Sequence, residues 1–286
     1  MPIIDLNKTE YPPFSVLMSL YYKEKPEYLE SCLESLLKQT CQAQEWVIVK
    51  DGPLGTDLDR VLEKYIEEYP NLITLVPIEK NVGLGLALEK GVKSCKYELI
   101  ARMDTDDIAR EDRFEKQLRA FMDDPQLDIC GSHIKEFEGD KNYILSLRKV
   151  PLTQDNIVAY QKRRSAFNHM TVMYKKSSVI KAGNYEHAPL MEDDMLWTRM
   201  LLAGCKGKNI DDFLVWARTG KEMIARRGGY AYFKKYKKSR KKIYETGFIS
   251  YWDYLYTIIV QFIVALIPGK LRMINFFEGH LGREKK

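Results

Sequence analysis

Between Phe14 and Asp104, short apolar stretches alternate with amphipathic helical patterns, an order that few architectures accommodate. FSVLMSLY (14–21) is a continuous apolar run of strand length, followed by PEYLESCLESLLKQ. There Pro26 suits a first helical turn, and Leu29, Cys32, Leu33, Leu36 and Leu37 recur at the spacing of one helix face. The pattern repeats as WVIVKDG (46–52) with a helix over roughly 56–69, LITLVPI (72–78) with a helix over roughly 83–94, and YELIARMD (97–104). Strands joined through helices pair in parallel, so the expected fold is α/β, a mostly parallel sheet with helices on both faces. Ligands of such sheets bind beyond the carboxyl ends of the strands, so functional residues are expected just after each apolar run. Beyond a helix in EDRFEKQLRAFMDD, the stretches LDICGSHI and YILSLRKV predict antiparallel additions. HMTVMYKK, a helix in DDMLWTRMLLAG and a last strand in FLVWART (213–219) complete the mixed second half.

With 45% hydrophobic and 30% charged residues, the 286-residue chain has globular proportions, which exclude a disordered or fibrous protein. No secretory signal is visible in the first thirty residues, so synthesis is expected to end in the cytoplasm. Five cysteines without a C-x-x-C pair argue against both a disulfide framework and a zinc cluster. Charge divides the chain: residues 1–220 carry 30 Lys+Arg against 35 Asp+Glu, whereas residues 221–242 carry 10 basic residues against Glu222 alone. The expected organisation is therefore a catalytic or binding domain over 1–220 and a basic, helical tail over 221–286.

Three segments can carry chemistry. Asp104-Thr105-Asp106-Asp107 follows a strand, and carboxylates at i and i+2 can converge on a hard divalent cation that grips a diphosphate; an acidic turn capping the next helix is the structural alternative. Glu192-Asp193-Asp194 heads a helix, where acids favour the dipole, but a carboxylate pocketed near other acids can also serve as a general base. Asn81-Val82-Gly83-Leu84-Gly85 lies where a strand gives way to a helix, and its glycines permit either a close phosphate or close packing. Lys50-Asp51-Gly52 and Ser19-Leu20-Tyr21 end the second and first strands on the same rim.

Taken in order, SVLMSLYYKEKPEYLESCLESLLKQT, VIVKDGP, NVGLGLALEKG, ARMDTDDI, NHMTVM and MEDDMLWTRMLLAG resemble the family-2 glycosyltransferases of GT-A fold. The resemblance is strongest to bacterial enzymes that extend capsular, exopolysaccharide or O-antigen repeat units, and it covers about residues 14–220. It implies that Ser19, Tyr21 and Asp51, with Asn81 on the same rim, hold a nucleoside diphosphate sugar, UDP-galactose or UDP-glucose being favoured. It further implies that Asp106 holds Mn²⁺ or Mg²⁺ with Asp104 beside it, that Asp193 is the catalytic base, and that Glu192 orients base or acceptor. Lys50 stands where the family's first Asp is usual, which removes one carboxylate from the rim. Displacement of the nucleoside diphosphate by a hydroxyl deprotonated on the opposite face gives inversion.

Further residues carry open alternatives. His169 can line the acceptor pocket or the metal site, or be a satisfied structural histidine. Arg226 and Arg227 can close over the diphosphate or form a solvated turn. Arg218 can face the pocket or pair with Asp211 or Asp212. In the tail, KKYKKSRKK (234–242) has seven basic residues in nine, and Tyr251–Ile267 is a 17-residue, largely apolar stretch. At ~1.5 Å per residue that stretch is short for a ~30 Å hydrocarbon core. It is expected to lie in the inner leaflet interface, with Trp252, Tyr254 and Tyr256 at headgroup level, where a polyprenyl-diphosphate-linked glycan would be reached. Packing on the catalytic domain or on a second copy in a homodimer is the alternative. A metal-dependent nucleotidyltransferase lacks its phosphate loop here, and a nucleic-acid binder is disfavoured by the net acidic main domain; a noncatalytic membrane-bound scaffold would make the acidic motifs helix caps only.

Overall fold

The computed structural model describes residues 11–220 and 228–267. Strands β1 (Phe14–Leu20), β2 (Glu45–Asp51), β3 (Ile73–Ile78) and β4 (Leu99–Arg102) are joined through helices α1 (Pro26–Leu37), α2 (Thr56–Glu68) and α3 (Leu84–Ser94). They pair in parallel in the order β3-β2-β1-β4, as the alternation requires. Every residue of β1 except Ser19 is buried, which is why it reads as a continuous apolar run instead of an alternating one. One core cluster packs the α1 and α2 face, with Val16, Leu33 and Leu62 among its members. A second, around Leu17, Leu88 and Trp197, packs the α3 face.

The second half turns the sheet mixed. After β5 (Ile108–Ala109) and α4 (Arg113–Asp123), the long β6 (Leu127–Phe137) pairs antiparallel with β7 (Ile144–Arg148) and β8 (Met173–Lys175), and parallel with β9 (Lys206–Arg218). The path through the described sheet continues β4-β8-β6-β9-β5, with β7 alongside β6. The sequence missed β5, only two residues long, and the short helices α5 (Gln154–Gln161) and α6 (Lys176–Lys181), whose lengths are too small for periodicity to register. Helix α7 (Glu192–Leu202) lies on the α3 side.

The basic tail is not a detached unit. Helix α8 (Gly229–Glu245) docks through Ile243, which with Ile249 joins Ala188, Met191 and Met195 in a third cluster. Ser239 donates to the Pro189 carbonyl at 2.8 Å, and the fully buried Arg240 donates to Thr257 Oγ1 at 3.2 Å and to the Lys162 carbonyl. Arg240 is therefore structural, although it lies within the basic run. Helix α9 (Tyr251–Leu266) starts from a capping box between Ser250 and Asp253. Tyr254 stacks on Tyr244 and packs against the third cluster instead of facing outward. Most of the remaining apolar side chains of α9 are open: Trp252 is 72% exposed, Ile263 54% and Leu266 68%. Among the described residues no helix is long and apolar enough to cross a membrane.

Candidate active site

The carboxyl ends of β1, β2 and β4 open onto a cleft of about 550 Å³, within the size range of ligand pockets. Ser19, Tyr21, Asp51, Asn81, Asp104 and Asp106 all line it, so the strand-end rule gathers residues up to 87 positions apart. Asp51 does more than line the wall. Its two carboxylate oxygens accept from the backbone N–H groups of Val82 (2.7 Å) and Gly83 (3.0 Å), and from Asn81 Nδ2 (3.0 Å). Asp51 thus fixes the 81–83 loop, and Gly52, at φ +87°, makes the turn beside it, where a Cβ would meet the Asn81 nitrogen at 2.7 Å. Lys50, at the position where an acid was expected, points to α2 and pairs with Asp59 at 2.6 Å. Gly85 is a packing glycine: a Cβ there would meet the Glu186 carbonyl oxygen at 2.3 Å.

Asp104, Asp106 and Asp107 share one small volume just past β4. Burial would push the Asp104 carboxyl up, but the wholly buried Arg102 guanidinium bonded to it holds it below the usual carboxylate range. Among the described residues Asp106 has no such partner: burial, then the charges of Asp104 and Glu24, push it up to about 7. Asp107 is raised well above its ordinary value by burial and by Asp106; its Oδ1 accepts the Arg218 backbone N–H at 2.7 Å, while the buried Oδ2 has no partner among the described residues. Among the described residues no group of three or more His, Cys, Asp or Glu could hold a metal alone. Asp104 and Asp106 offer the incomplete oxygen set of a Mg²⁺- or Mn²⁺-type site, whose other ligands come from substrate phosphates and water. The excess of negative charge and the unpartnered Asp107 oxygen fit such an ion.

Arg218 does not pair with Asp211 or Asp212 but braces the segment behind the first cleft. Its Nε donates to the Asp106 carbonyl at 3.0 Å and its guanidinium stacks 3.8 Å from the centre of the Tyr28 ring, while Asp212 pairs with Arg110 and Lys116, and Asp211 with His133. Sequence reasoning did not single out Arg102, Glu24 or Tyr28; the Arg two residues before Asp104 was legible as a charge buried in a strand.

A second cleft, of about 760 Å³, adjoins the first, and Asp104 lines both. His169, Glu192 and Asp193 line this second cleft. Burial, followed by the like charges of Asp194 and Glu192, raises the Asp193 carboxyl well above its ordinary value. Glu192 is raised as well, first by burial and then by Asp104. His169 Nε2 lies 3.0 Å from the Tyr185 hydroxyl, and burial with nearby Arg102 pulls the imidazole down to about 3, so it is neutral. It lines the cleft from a packed setting between Tyr185 and Trp197. Arg226 and Arg227 lie outside the described residues.

A mixed α/β sheet with an acidic cluster past β4 and a second, carboxylate-lined cleft beside it is the arrangement of GT-A transferases. Residues 15–183 match the family model for Glycosyl transferase family 2, and the chain belongs to that family. It is 39% identical over 276 residues to the amylovoran biosynthesis glycosyltransferase AmsE of Erwinia amylovora, covering 94% of this chain and 100% of that one. It is 38% identical over 264 residues to the UDP-Gal:alpha-D-GlcNAc-diphosphoundecaprenol beta-1,3-galactosyltransferase of Escherichia coli, covering 91% and 94%. Among solved structures, S. aureus TarS superposes with a TM-score of 0.60 at 20% identity over 81% of this chain, which spans only 39% of TarS. The Pyrobaculum calidifontis mannosyltransferase PcManGT, solved with GDP-Man and Mn²⁺, gives 0.62 at 14% identity, covering 83% of this chain and 65% of that one.

Proposed function

We propose that the chain is an inverting, metal-dependent hexosyltransferase of bacterial surface polysaccharide synthesis. It moves galactose or glucose from a UDP-sugar to a hydroxyl of a polyprenyl-diphosphate-linked glycan. The observation that carries this reading is that Asp104 belongs to both clefts, so a donor in one and an acceptor in the other meet beside it. The name of the Escherichia coli relative supports both substrates.

In this reading Ser19, Tyr21 and Asn81 contact the nucleotide, and Asp51 acts chiefly by holding the loop that carries Asn81. Asp104 and Asp106 would hold the divalent metal, which when bound supplies Lewis-acid neutralisation of charge on the leaving diphosphate. Arg102 keeps Asp104 ionised and fixed. Asp193 takes the proton of the attacking hydroxyl, and its raised affinity for protons suits that task. Glu192 and the neutral His169 position the acceptor sugar in the same cleft. A single in-line displacement turns an α-linked donor into a β-linked product. The open face of α9, with Trp252, Ile259, Ile263 and Leu266, rests in the inner leaflet interface, and the exposed Lys234, Lys237 and Lys238 of α8 meet anionic headgroups.

Calorimetric titration with UDP, with and without Mn²⁺, tests the site. Metal-dependent binding in the native protein and its loss in Asp106→Ala are expected. Absence of UDP binding under both conditions overturns the UDP-sugar assignment, and unchanged binding in the variant overturns the role of Asp106.

A further inference from the structure

We propose that Lys235 and Arg148 form a subsite for the diphosphate of the acceptor, a proposal that rests on the lipid-linked acceptor assigned above. The second cleft is sorted by charge. Its carboxylates, Asp104, Glu192, Asp193 and Asp194, come from the end of β4 and the head of α7. Its cations come from elsewhere: Arg148 ends β7, which lies off the main path of the sheet, and Lys235 sits in the second turn of α8. A diphosphate is repelled from the four acids and attracted to the cationic wall, so an acceptor can enter in one orientation, with its sugar hydroxyl toward Asp193. Lys235 makes no hydrogen bond or ion pair among the described residues, whereas Lys241 and Lys242 on the same helix pair with Glu245 and Glu186. The helix that supplies Lys235 packs against α9, whose open apolar side chains are the surface assigned above to the membrane interface. Diphosphate at the tail and sugar at the sheet is the arrangement a lipid-diphosphate-linked glycan needs.

The test uses geranyl diphosphate in lipid-free, metal-free buffer, so that neither the Asp104–Asp106 pair nor a bilayer can hold the probe. Calorimetry on the full chain is expected to show binding that weakens about 3- to 10-fold in Lys235→Gln and recovers in Lys235→Arg. Geraniol, which keeps the chain and loses the charge, is expected to bind no better to the native protein than to Lys235→Gln. Unchanged affinity for geranyl diphosphate in Lys235→Gln overturns the proposal. So does an effect of Lys235→Gln confined to vesicles containing anionic lipid, which would assign the lysine to the membrane surface. Failure here with intact Mn²⁺-dependent UDP binding would remove the subsite and leave the glycosyltransferase reading standing.

Discussion

Two groups of carboxylates flank the two-residue strand β5 and are treated in opposite ways. Before it, Asp104, Asp106 and Asp107 crowd together, and among the described residues only Asp104 has a cation bonded to its carboxylate. After it, Asp112 and Asp212 are both bonded to Arg110, with Lys116 at 2.6 Å from Asp212, and both carboxyls are held below their usual range. The hydrogen bonds from Arg110 are the largest influence on Asp212. Carboxylates on either side of β5 thus form a strut in one place and a charge reservoir in the other. A reservoir left unneutralised in a cleft costs stability unless something bound there balances it, which marks it as a site of binding.

That contrast can be broken in order of expected size. Asp193→Asn removes the proposed base and is expected to lower the transfer rate by ~10²–10⁴-fold with UDP binding kept, measured by product formation at saturating donor. Equal losses of binding and rate would make Asp193 structural. Asp106→Ala is expected to weaken metal-dependent UDP binding at least ~10²-fold while leaving the melting temperature unchanged or higher.

The pH dependence of stability separates the clusters by sign. The Asp106 carboxyl rises to about 7 on folding, so the folded chain binds the extra proton between the unfolded value and about 7, and stability from this group declines as pH rises through that window. Asp106→Asn should therefore be more stable than the native chain above pH ~7, by roughly 1–2 kcal/mol after discounting for solvent in the cleft, and no different below pH ~4. Asp212 is depressed instead, so its contribution is complete above its unfolded value of ~3.9 and is lost as pH falls. Asp212→Ala is expected to cost about 1 kcal/mol at pH 7, a few degrees in melting temperature, with transfer activity nearly unchanged. A loss of activity in Asp212→Ala with no loss of stability would erase the distinction between the two clusters.

Much of this was legible in the chain itself. Apolar runs and helical stripes gave the parallel half of the sheet, because a strand buried on both faces must be apolar throughout and its covering helix must be apolar on one side. Residues following those runs became the rim of the first cleft for the same topological reason. Local pattern could not tell whether Asp51 points at a ligand or holds a loop, since its partners lie 30 or more residues away. Nor could it show that Lys50 turns to Asp59, that Arg218 stacks on Tyr28, or that Arg240 is buried within an otherwise basic run. The sequence by itself determined which elements form and where chemistry can sit, because periodicity and strand ends are local properties. Only the tertiary structure decided which carboxylates are paired, which are left crowded, and that Asp104 stands between two clefts, because charge pairing and cavity shape are set by neighbours distant in the chain.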